Sequence, residues 1–148
     1  MYNDQLPWVE KYRPSTLENI ISHSPIINTL ENFISQDMLP HMLFYGPPGT
    51  GKTEVAKILG KIYTKLGILE KGTFVKVTRS DFVAGYLGQT AIKTRKLIEN
   101  NIGGVMFIDE AYAMGNQEKR DSFSKEALDT LCELLSDHKR DLMVIIAG

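Results

Sequence analysis

The sequence predicts an α/β fold in which a mainly parallel β-sheet lies between two layers of helices. Short apolar segments alternate along the chain with segments whose apolar residues recur at helical spacing. Two parallel strands need a crossover, usually a helix, so this alternation indicates βαβ units. The 148 residues are 43% hydrophobic and 24% charged, as in ordinary globular domains. We expect one domain, with an arm and helix at 1–40 and the core at 41–148.

The first forty residues predict an extended arm followed by helix. In "RPSTLENI", Ser15 stands three residues before Glu18, which is the spacing of a capping box at the start of a short helix. In "SPIINTLENFI", Ser24 is the expected N-cap and Pro25 the first helical residue. The apolar residues that follow at helical spacing are Ile26, Ile27, Leu30, Phe33 and Ile34.

Four strands and three helices are predicted in the core. The strands are expected at 41–45, 73–79, 104–109 and 142–148, and the helices at 53–66, 89–100 and 124–137. The apolar face of the first core helix is expected to carry Val55, Ile58, Leu59, Ile62 and Leu66, and that of the last Ala127, Leu128, Leu131 and Leu135. Cys132 is the only cysteine, which excludes an internal disulfide and a zinc cluster, and we expect it to pack in the core.

Charge and hydropathy exclude several classes of protein. With 17 basic and 18 acidic residues, the net charge of −1 gives no general attraction to nucleic acid. The N-terminal segment lacks the apolar stretch of a signal peptide, and no apolar run approaches the length of a membrane span. We therefore expect a protein that is not secreted, has no membrane partner and resides in the cytoplasm.

The segment "GPPGTGKT" (46–53) has the form G-x-x-x-x-G-K-[ST] of a phosphate-binding P-loop, or Walker A motif, between a predicted strand and a predicted helix. Its glycines let backbone N–H groups point at one phosphate, and the helix start adds its positive dipole end. Lys52 is expected to reach the β- and γ-phosphates, and the Thr53 hydroxyl to bind Mg²⁺. The predicted nucleotide contacts here are Gly46, Pro47, Pro48, Gly49, Thr50, Gly51, Lys52, Thr53 and Glu54.

The segment "GVMFIDE" (104–110) resembles a Walker B motif, an apolar strand that ends in two acids. Asp109 would meet the ligand crevice at the carboxyl end of a parallel strand and hold Mg²⁺ there. Glu110 would polarise the attacking water. The two motifs lie about fifty residues apart with one strand between them, and together they predict a Mg-dependent nucleoside triphosphatase in which Lys52 and Glu110 are catalytic.

The strand between the two motifs, and the motifs themselves, resemble AAA+ ATPases. The resemblance implies ATP as nucleotide and the three-layer αβα P-loop NTPase fold. Residues 1–53, with "WVEKYRP" before the P-loop, are similar to small subunits of replication factor C, the clamp loader. In that family the arm folds over the adenine, which by resemblance places Val9, Tyr12, Arg13, Pro14, Ile20 and Ile21 at the base.

Residues from about 53 to 148 instead resemble the red-type rubisco activase and stage V sporulation protein K family, on "GQTAIKT", "GGVMFIDEAY" and "KEALDTLCELL". Those proteins are hexameric remodellers whose loop after the second strand projects an aromatic residue into a central pore. By this resemblance Tyr86, with Leu87, lies on the pore loop, and Gly85 and Gly88 let the loop move. The alternative is that Tyr86 packs into the core as a loop anchor.

The last segment, "IIAG", precedes the features that complete an AAA+ module. By resemblance the polar sensor, the fifth strand, the arginine finger and the helical lid would follow it, so the fold is expected to stop after the fourth core strand and the first strand to be an apolar edge. Arg120 and Arg140 are expected on a solvated face. His23, His41 and His138 have no ligand spacing and are expected to be structural or exposed.

These observations lead to three functional hypotheses. The first is a Mg-dependent ATP-binding and ATP-hydrolysing module in an oligomeric ring, homomeric or heteromeric, that remodels a protein partner. The second is a clamp-loader-type module that acts with a sliding clamp and DNA, which would allow a nuclear location. The third is a module that binds ATP without hydrolysing it.

Overall fold

A parallel β-sheet forms the centre of the computed structural model, which describes residues 7, 14–20, 24–86, 88–114 and 122–148. Within these residues the strands are β1 (Met42–Phe44), β2 (Phe74–Val77), β3 (Val105–Ile108) and β4 (Met143–Ala147). They lie in the order β1-β4-β3-β2, and every pair is parallel. The predicted parallel sheet is therefore confirmed.

Helices connect the strands and cover both faces of the sheet. They are α1 (Ser24–Ser35), α2 (Lys52–Lys65), α3 (Arg79–Phe82), α4 (Gln89–Asn101) and α5 (Ser122–Asp137), with 3₁₀ turns at Leu17–Asn19 and Ala111–Met114. Neighbouring residues of β3 belong to two different apolar clusters: Phe107 packs with Leu59 of α2, and Met106 with Ile98 of α4. This alternation places one helical layer on each face, as the predicted three-layer fold requires.

The strand register brings the carboxyl ends of the strands to one edge of the sheet. Ile108 of β3 is level with Val77 of β2 and with Ile146 of β4, and Ala147 is level with Phe44 of β1. The loops that follow β1, β2 and β3 therefore leave the sheet at the same edge. This is the edge at which open α/β sheets bind ligands.

Close packing of α2 on the sheet depends on Gly60. A Cβ at this position would lie 2.9 Å from the Cγ2 of Val105 on β3. Two carbon atoms at optimal contact are about 3.5–4.0 Å apart. The absent side chain therefore lets α2, whose N-terminus carries Lys52 and Thr53, approach β3, whose end carries Asp109.

Strand β1 pairs with β4 alone among the described residues. Leu43 in its middle is 69% exposed. The expectation of an apolar edge is confirmed. On its other side the described part of the chain provides no neighbour that would exclude water from its side chains.

Several predictions about helix faces and caps are wrong. The first 3₁₀ turn has Thr16, not Ser15, at its N-cap, and no side-chain cap bond there. Leu66 and Leu128 are 49% and 36% exposed, whereas Tyr63 and Leu134 are buried in their place. Cys132 is exposed rather than in the core. The sheet fixes the rotation of each helix, and an apolar residue one position off the contact line then faces solvent.

Candidate nucleotide-binding site

The loop between β1 and α2 has the backbone shape that the glycine pattern predicts. Gly46, Gly49 and Gly51 have φ values of +157°, +81° and +81°, which residues other than glycine rarely adopt. Helix α2 begins at Lys52 with Gly51 as its N-cap. Its first intrahelical bond runs from Val55 N to Gly51 O, 3.0 Å. The N–H groups of Lys52 and Thr53 precede this bond at the positive end of the helix dipole, where an anion can bind.

Lys52 folds back over this loop. Its ammonium donates hydrogen bonds to the carbonyl oxygens of Gly46, at 2.5 Å, and Pro47, at 3.1 Å. The Thr50 hydroxyl donates to the same Pro47 oxygen, at 2.9 Å. Thr53 lies in the first turn of α2 and is half-buried. A movable cation, a hydroxyl and helix N–H groups thus meet at one edge of the sheet.

Asp109 lies directly after β3, and both of its carboxylate oxygens are engaged. Oδ2 accepts a hydrogen bond from the ammonium of Lys76 on β2, at 2.7 Å, and Oδ1 accepts the N–H of Glu110, at 3.0 Å. The Lys76 hydrogen bond is the largest cause that lowers the pKa of Asp109, and the charge of Lys52 lowers it further. Asp109 is therefore ionised at neutral pH.

Sequence reasoning did not identify Lys76. A signal existed, because a lysine at the end of a strand that neighbours the Walker B strand lies beside the Walker B acid. Lys76 was not identified because its placement depends on the order of the strands in the sheet, which local periodicity does not reveal.

Glu110 has a backbone conformation that residues with side chains rarely adopt. Its φ is +54°, in the left-handed region, and its side chain is exposed. Such a conformation costs a non-glycine residue on the order of 1–3 kcal/mol and occurs preferentially at functional sites. The residue predicted to polarise water therefore lies on a strained turn directly after Asp109.

The donors at this edge fit Mg²⁺ bound together with nucleotide phosphates. Within the described residues no group of three His, Cys, Asp or Glu side chains could hold a metal ion alone. Mg²⁺ usually takes one or two protein oxygens and completes its shell with phosphate oxygens and water. The Thr53 hydroxyl and the Asp109 carboxylate match that demand, and the Lys52 ammonium matches the phosphates.

A cavity of about 620 Å³ extends from the P-loop along β1 and α1. Its lining includes Gly46, Pro47, Thr50 and Lys52, and on its apolar side Ile20. Such a volume is typical of a site for a small organic ligand. Of the predicted adenine contacts, Ile20 therefore borders the cavity, and the half-buried Pro14 is not among its lining residues. The other four, Val9, Tyr12, Arg13 and Ile21, lie outside the described residues.

The loop after β2 presents Tyr86 to solvent. The Tyr86 side chain is 74% exposed, so it is not the core anchor that was considered as the alternative. Upstream of it, the Lys93 ammonium on α4 donates to the carbonyl oxygens of Ser80, at 2.7 Å, and Val83, at 2.9 Å. The exposed ring thus stands on a loop whose base is fixed. Leu87, the second predicted pore-loop residue, lies outside the described residues.

The helices at the base of this loop are bonded to α5. Arg79 Nε of α3 donates to Ser124 Oγ, at 3.0 Å. The N–H of Ala91, in the first turn of α4, donates to Glu126 Oε1, at 3.2 Å. The segments on both sides of the Tyr86 loop therefore contact the helix that follows the Walker B segment.

The described histidines have structural roles, as expected. His41 Nδ1 accepts the N–H of Val144, at 3.2 Å, and Nε2 lies 3.4 Å from the Leu135 oxygen. Burial lowers the pKa of His41, and the bond to Leu135 opposes that shift. His138 pairs with Asp141, at 3.2 Å.

The remaining expectations concern arginine and the membrane. Arg140 is exposed, which confirms its assignment to a solvated face, whereas Arg120 and His23 lie outside the described residues. Among the helices of the described segments, none is long and apolar enough to cross a membrane.

Curated relatives resemble this chain over most of its length. Stage V sporulation protein K of Bacillus subtilis is 45% identical over 108 residues, which are 73% of this chain and 33% of that protein. The ESX-1 secretion system protein EccA1 of Mycobacterium tuberculosis is 41% identical over 142 residues, 95% of this chain and 24% of that protein. The chloroplastic ribulose bisphosphate carboxylase/oxygenase activase of Cyanidioschyzon merolae is 43% identical over 108 residues, covering 73% and 37%. The chain spans between 24% and 37% of the length of these relatives.

The relatives bear on the two resemblances differently. Similarity to stage V sporulation protein K and to a rubisco activase is confirmed. The match to EccA1 covers 95% of the chain, so it includes most of the first forty residues as well as the core. One protein thus resembles both segments. The similarity of residues 1–53 to replication factor C stays a prediction.

Fold and family comparisons agree. The crystal structure of the FIGL-1 AAA domain in complex with ADP superimposes with a TM-score of 0.64 at 18% identity, covering 92% of this chain and 49% of that one, which shows the fold. The model of the family "ATPase family associated with various cellular activities (AAA)" matches residues 42–148. Both phosphate motifs lie within that match. The chain therefore belongs to the AAA family of ATPases.

Proposed function

We propose that this chain binds ATP with Mg²⁺ and hydrolyses it, and that hydrolysis drives the remodelling of a protein partner. The observation that carries the proposal is a juxtaposition at one edge of the sheet. Lys52 and Thr53 begin α2 there, and Asp109 and Glu110 follow β3 there. A cation, a hydroxyl and two acids in this arrangement are what phosphoryl transfer to water requires.

Each residue has a distinct task in this proposal. The Lys52 ammonium exchanges the carbonyl oxygens of Gly46 and Pro47 for phosphate oxygens. Thr53 and Asp109 would hold Mg²⁺, and the ion would supply positive charge that neutralises the phosphates. Glu110 orients a water molecule and accepts its proton as the water attacks the γ-phosphorus. The leaving group is ADP.

Remodelling is assigned to Tyr86. An aromatic ring that is 74% exposed on a glycine-flanked loop offers a large gripping surface at low rotamer cost. In a ring of subunits, homomeric or heteromeric, such loops would line a central pore. The relatives include a protein named for the activation of ribulose bisphosphate carboxylase/oxygenase, whose target is another protein.

The catalytic half of the proposal is tested by ATP binding and by phosphate release at increasing protein concentration. Lys52→Ala should weaken ATP binding about 10- to 150-fold, because hydrogen bonds to charged groups contribute about 1.5–3 kcal/mol. Glu110→Gln should bind ATP normally and release no phosphate. Turnover per chain that rises with concentration would indicate subunits that complete one another's sites. Unchanged ATP binding by Lys52→Ala would refute the site.

The remodelling half is tested with fluorescein-labelled casein as an unstructured polypeptide. Glu110→Gln loaded with Mg-ATP should raise the fluorescence anisotropy of this probe, and adding Tyr86→Ala should abolish the rise. Tyr112→Ala is the matched control, because Tyr112 is also an exposed tyrosine, at 67%, outside the glycine-flanked loop. Equal losses with both tyrosine variants would contradict a specific role for Tyr86.

A further inference from the structure

The ammonium of Lys76 lies against the carboxylate that the proposed function assigns to Mg²⁺. Lys76 Nζ is 2.7 Å from Asp109 Oδ2. Asp109 Oδ1 accepts the N–H of Glu110, at 3.0 Å, which fixes the plane of the carboxylate. Lys76 therefore pairs with Oδ2, the carboxylate oxygen that does not accept the Glu110 N–H.

The position of Lys76 follows from the register of the strands. Lys76 of β2 is level with Phe107 of β3, so the two side chains share one face of the sheet. Asp109 follows two residues after Phe107 and points to the same face. On the same face Phe74, the first residue of β2, stacks with Phe107, with ring centroids 5.9 Å apart, so the two strands pack together beneath the ion pair. The ion pair is thus built into the sheet edge.

The exposure of the pair indicates that it can open. The side chains of Lys76 and Asp109 are 52% and 28% exposed. Exposed ion pairs are weak, and a long lysine stem can leave its partner for water without unfolding its strand. A divalent ion held by phosphate oxygens at the same carboxylate would win this competition.

We propose that Lys76 is the counter-ion of Asp109 in the metal-free site and that Mg²⁺ displaces it when Mg-ATP binds. The inference rests on the proposed function and adds a determinant of its metal dependence. Without Mg²⁺, Lys76 cancels the negative charge of Asp109, which would otherwise repel the triphosphate. With Mg²⁺, Lys76 competes for the metal ligand. Lys76 therefore reduces the extent to which ATP affinity depends on Mg²⁺.

The experiment measures the ATP dissociation constant by calorimetry, with saturating Mg²⁺ and with EDTA, on the whole chain. The quantity compared is the ratio of the EDTA value to the Mg²⁺ value. Lys76→Met should raise this ratio about two- to fivefold, the effect expected for an exposed ion pair. Most of the change should come from weaker binding in EDTA. Thermal unfolding of the variant confirms that the fold is kept.

Two further variants make the result specific. Lys61→Met removes one positive charge from an exposed position of α2, more than two turns after Lys52, and it should leave the ratio unchanged. Asp109→Asn should lower the ratio, and adding Lys76→Met to it should have no further effect, since the interaction partner is already absent.

Two results would overturn the inference. One is a Lys76→Met variant whose affinities with Mg²⁺ and with EDTA change by the same factor. The other is a rise in the ratio that persists in the Asp109→Asn background. Failure of the proposed function gives a different pattern: the unmodified chain would not bind ATP in either condition, or Asp109→Asn would leave the ratio unchanged.

Discussion

Replacement of Lys93 by methionine should loosen the Tyr86 loop while ATP binding stays unchanged. The Lys93 ammonium on α4 bridges the carbonyl oxygens of Ser80 and Val83, at 2.7 and 2.9 Å. These two oxygens belong to α3 and to the first residue after it, where the loop begins. Methionine keeps the length of the stem and removes the three donors. The substitution therefore tests the bridge rather than the packing.

The expected magnitude follows from the number and exposure of the bonds. A hydrogen bond from a charged donor contributes about 1.5–3 kcal/mol when it is shielded from water. Lys93 is exposed, and solvent reduces such contributions strongly. We therefore expect the two bonds together to contribute about 1–2 kcal/mol to closing the loop base. Their loss should raise the local opening constant roughly 5- to 30-fold.

Hydrogen exchange measures this opening directly. The N–H of Val83 donates to Arg79 O, at 3.1 Å, and that of Ala84 to Thr90 Oγ1, at 3.0 Å, so both amides are protected only while the loop base is closed. Their exchange should accelerate by the factor given above. Lys96→Met, on the same helix and also exposed, is the matched control and should leave both rates unchanged.

Unchanged exchange at Val83 and Ala84 in the Lys93→Met variant would refute this reasoning. It would mean that other contacts alone hold the loop base. Acceleration of amides throughout the sheet would refute it differently, because the effect would then be global destabilisation. ATP affinity, measured in parallel, separates a local effect on the loop from an effect on the nucleotide site.

Three further predictions concern stability. Gly60→Ala should destabilise the fold by about 0–2 kcal/mol in denaturant unfolding. Overpacking against Val105 costs about 1–3 kcal/mol, and the better helix propensity of alanine returns about 1 kcal/mol. A clear gain in stability would contradict the close approach of α2 to β3. Asp37→Gly should stabilise by about 0.5–1 kcal/mol in the same assay, since Asp37 has φ +52° just after α1, and a loss would show that its side chain makes a stronger contact. Burial lowers the pKa of His41 in the folded state, so the unfolded chain binds a proton first as the pH falls below about 6.5. The free energy of unfolding should therefore decrease with falling pH until the folded pKa is passed. His41→Gln should remove this pH dependence, and an identical pH profile in the variant would contradict the assignment.

The parts predicted correctly from sequence depend on local chemistry. Glycines that need positive φ, a lysine and threonine at a helix start, and acids after an apolar strand each require only neighbours in the chain. The short helix α3 was missed although it carries such a signal: the Asp81 carboxylate accepts the N–H of Thr78, at 2.7 Å, which is half of a capping box. Thr-x-x-Asp after a predicted strand could have revealed it.

The parts that could not be predicted depend on which element lies beside which. Lys76 and Asp109 meet only because β2 and β3 are neighbours in register. Tyr63 faces the core, where its hydroxyl donates to the Met38 oxygen at 2.6 Å, whereas Leu66 lies just after the last residue of α2. Helical periodicity gives the width of an apolar face but not its exact centre.

The motif "GQTAIKT" (88–94) acquires a physical explanation that its resemblance alone does not provide. Thr90 and Thr94 are fully buried, and their hydroxyls bond to backbone at the loop base: Thr90 accepts the N–H of Ala84, and Thr94 donates to Phe82 O, at 3.4 Å. With Lys93, three side chains of the motif thus hold residues 80–84. The polar residues of the motif therefore shape the base of the Tyr86 loop.

This explanation leads to a prediction for Thr90. Thr90→Val keeps the volume and removes the acceptor, so the half-buried Ala84 N–H is left without its partner, at a cost of about 1 kcal/mol. We expect faster exchange at Ala84 and loss of casein binding, with ATP affinity retained. Thr90→Ser, which keeps the acceptor, is the control and should retain casein binding. If Thr90→Val instead weakened ATP binding while the loop stayed protected, the motif would belong to the nucleotide site.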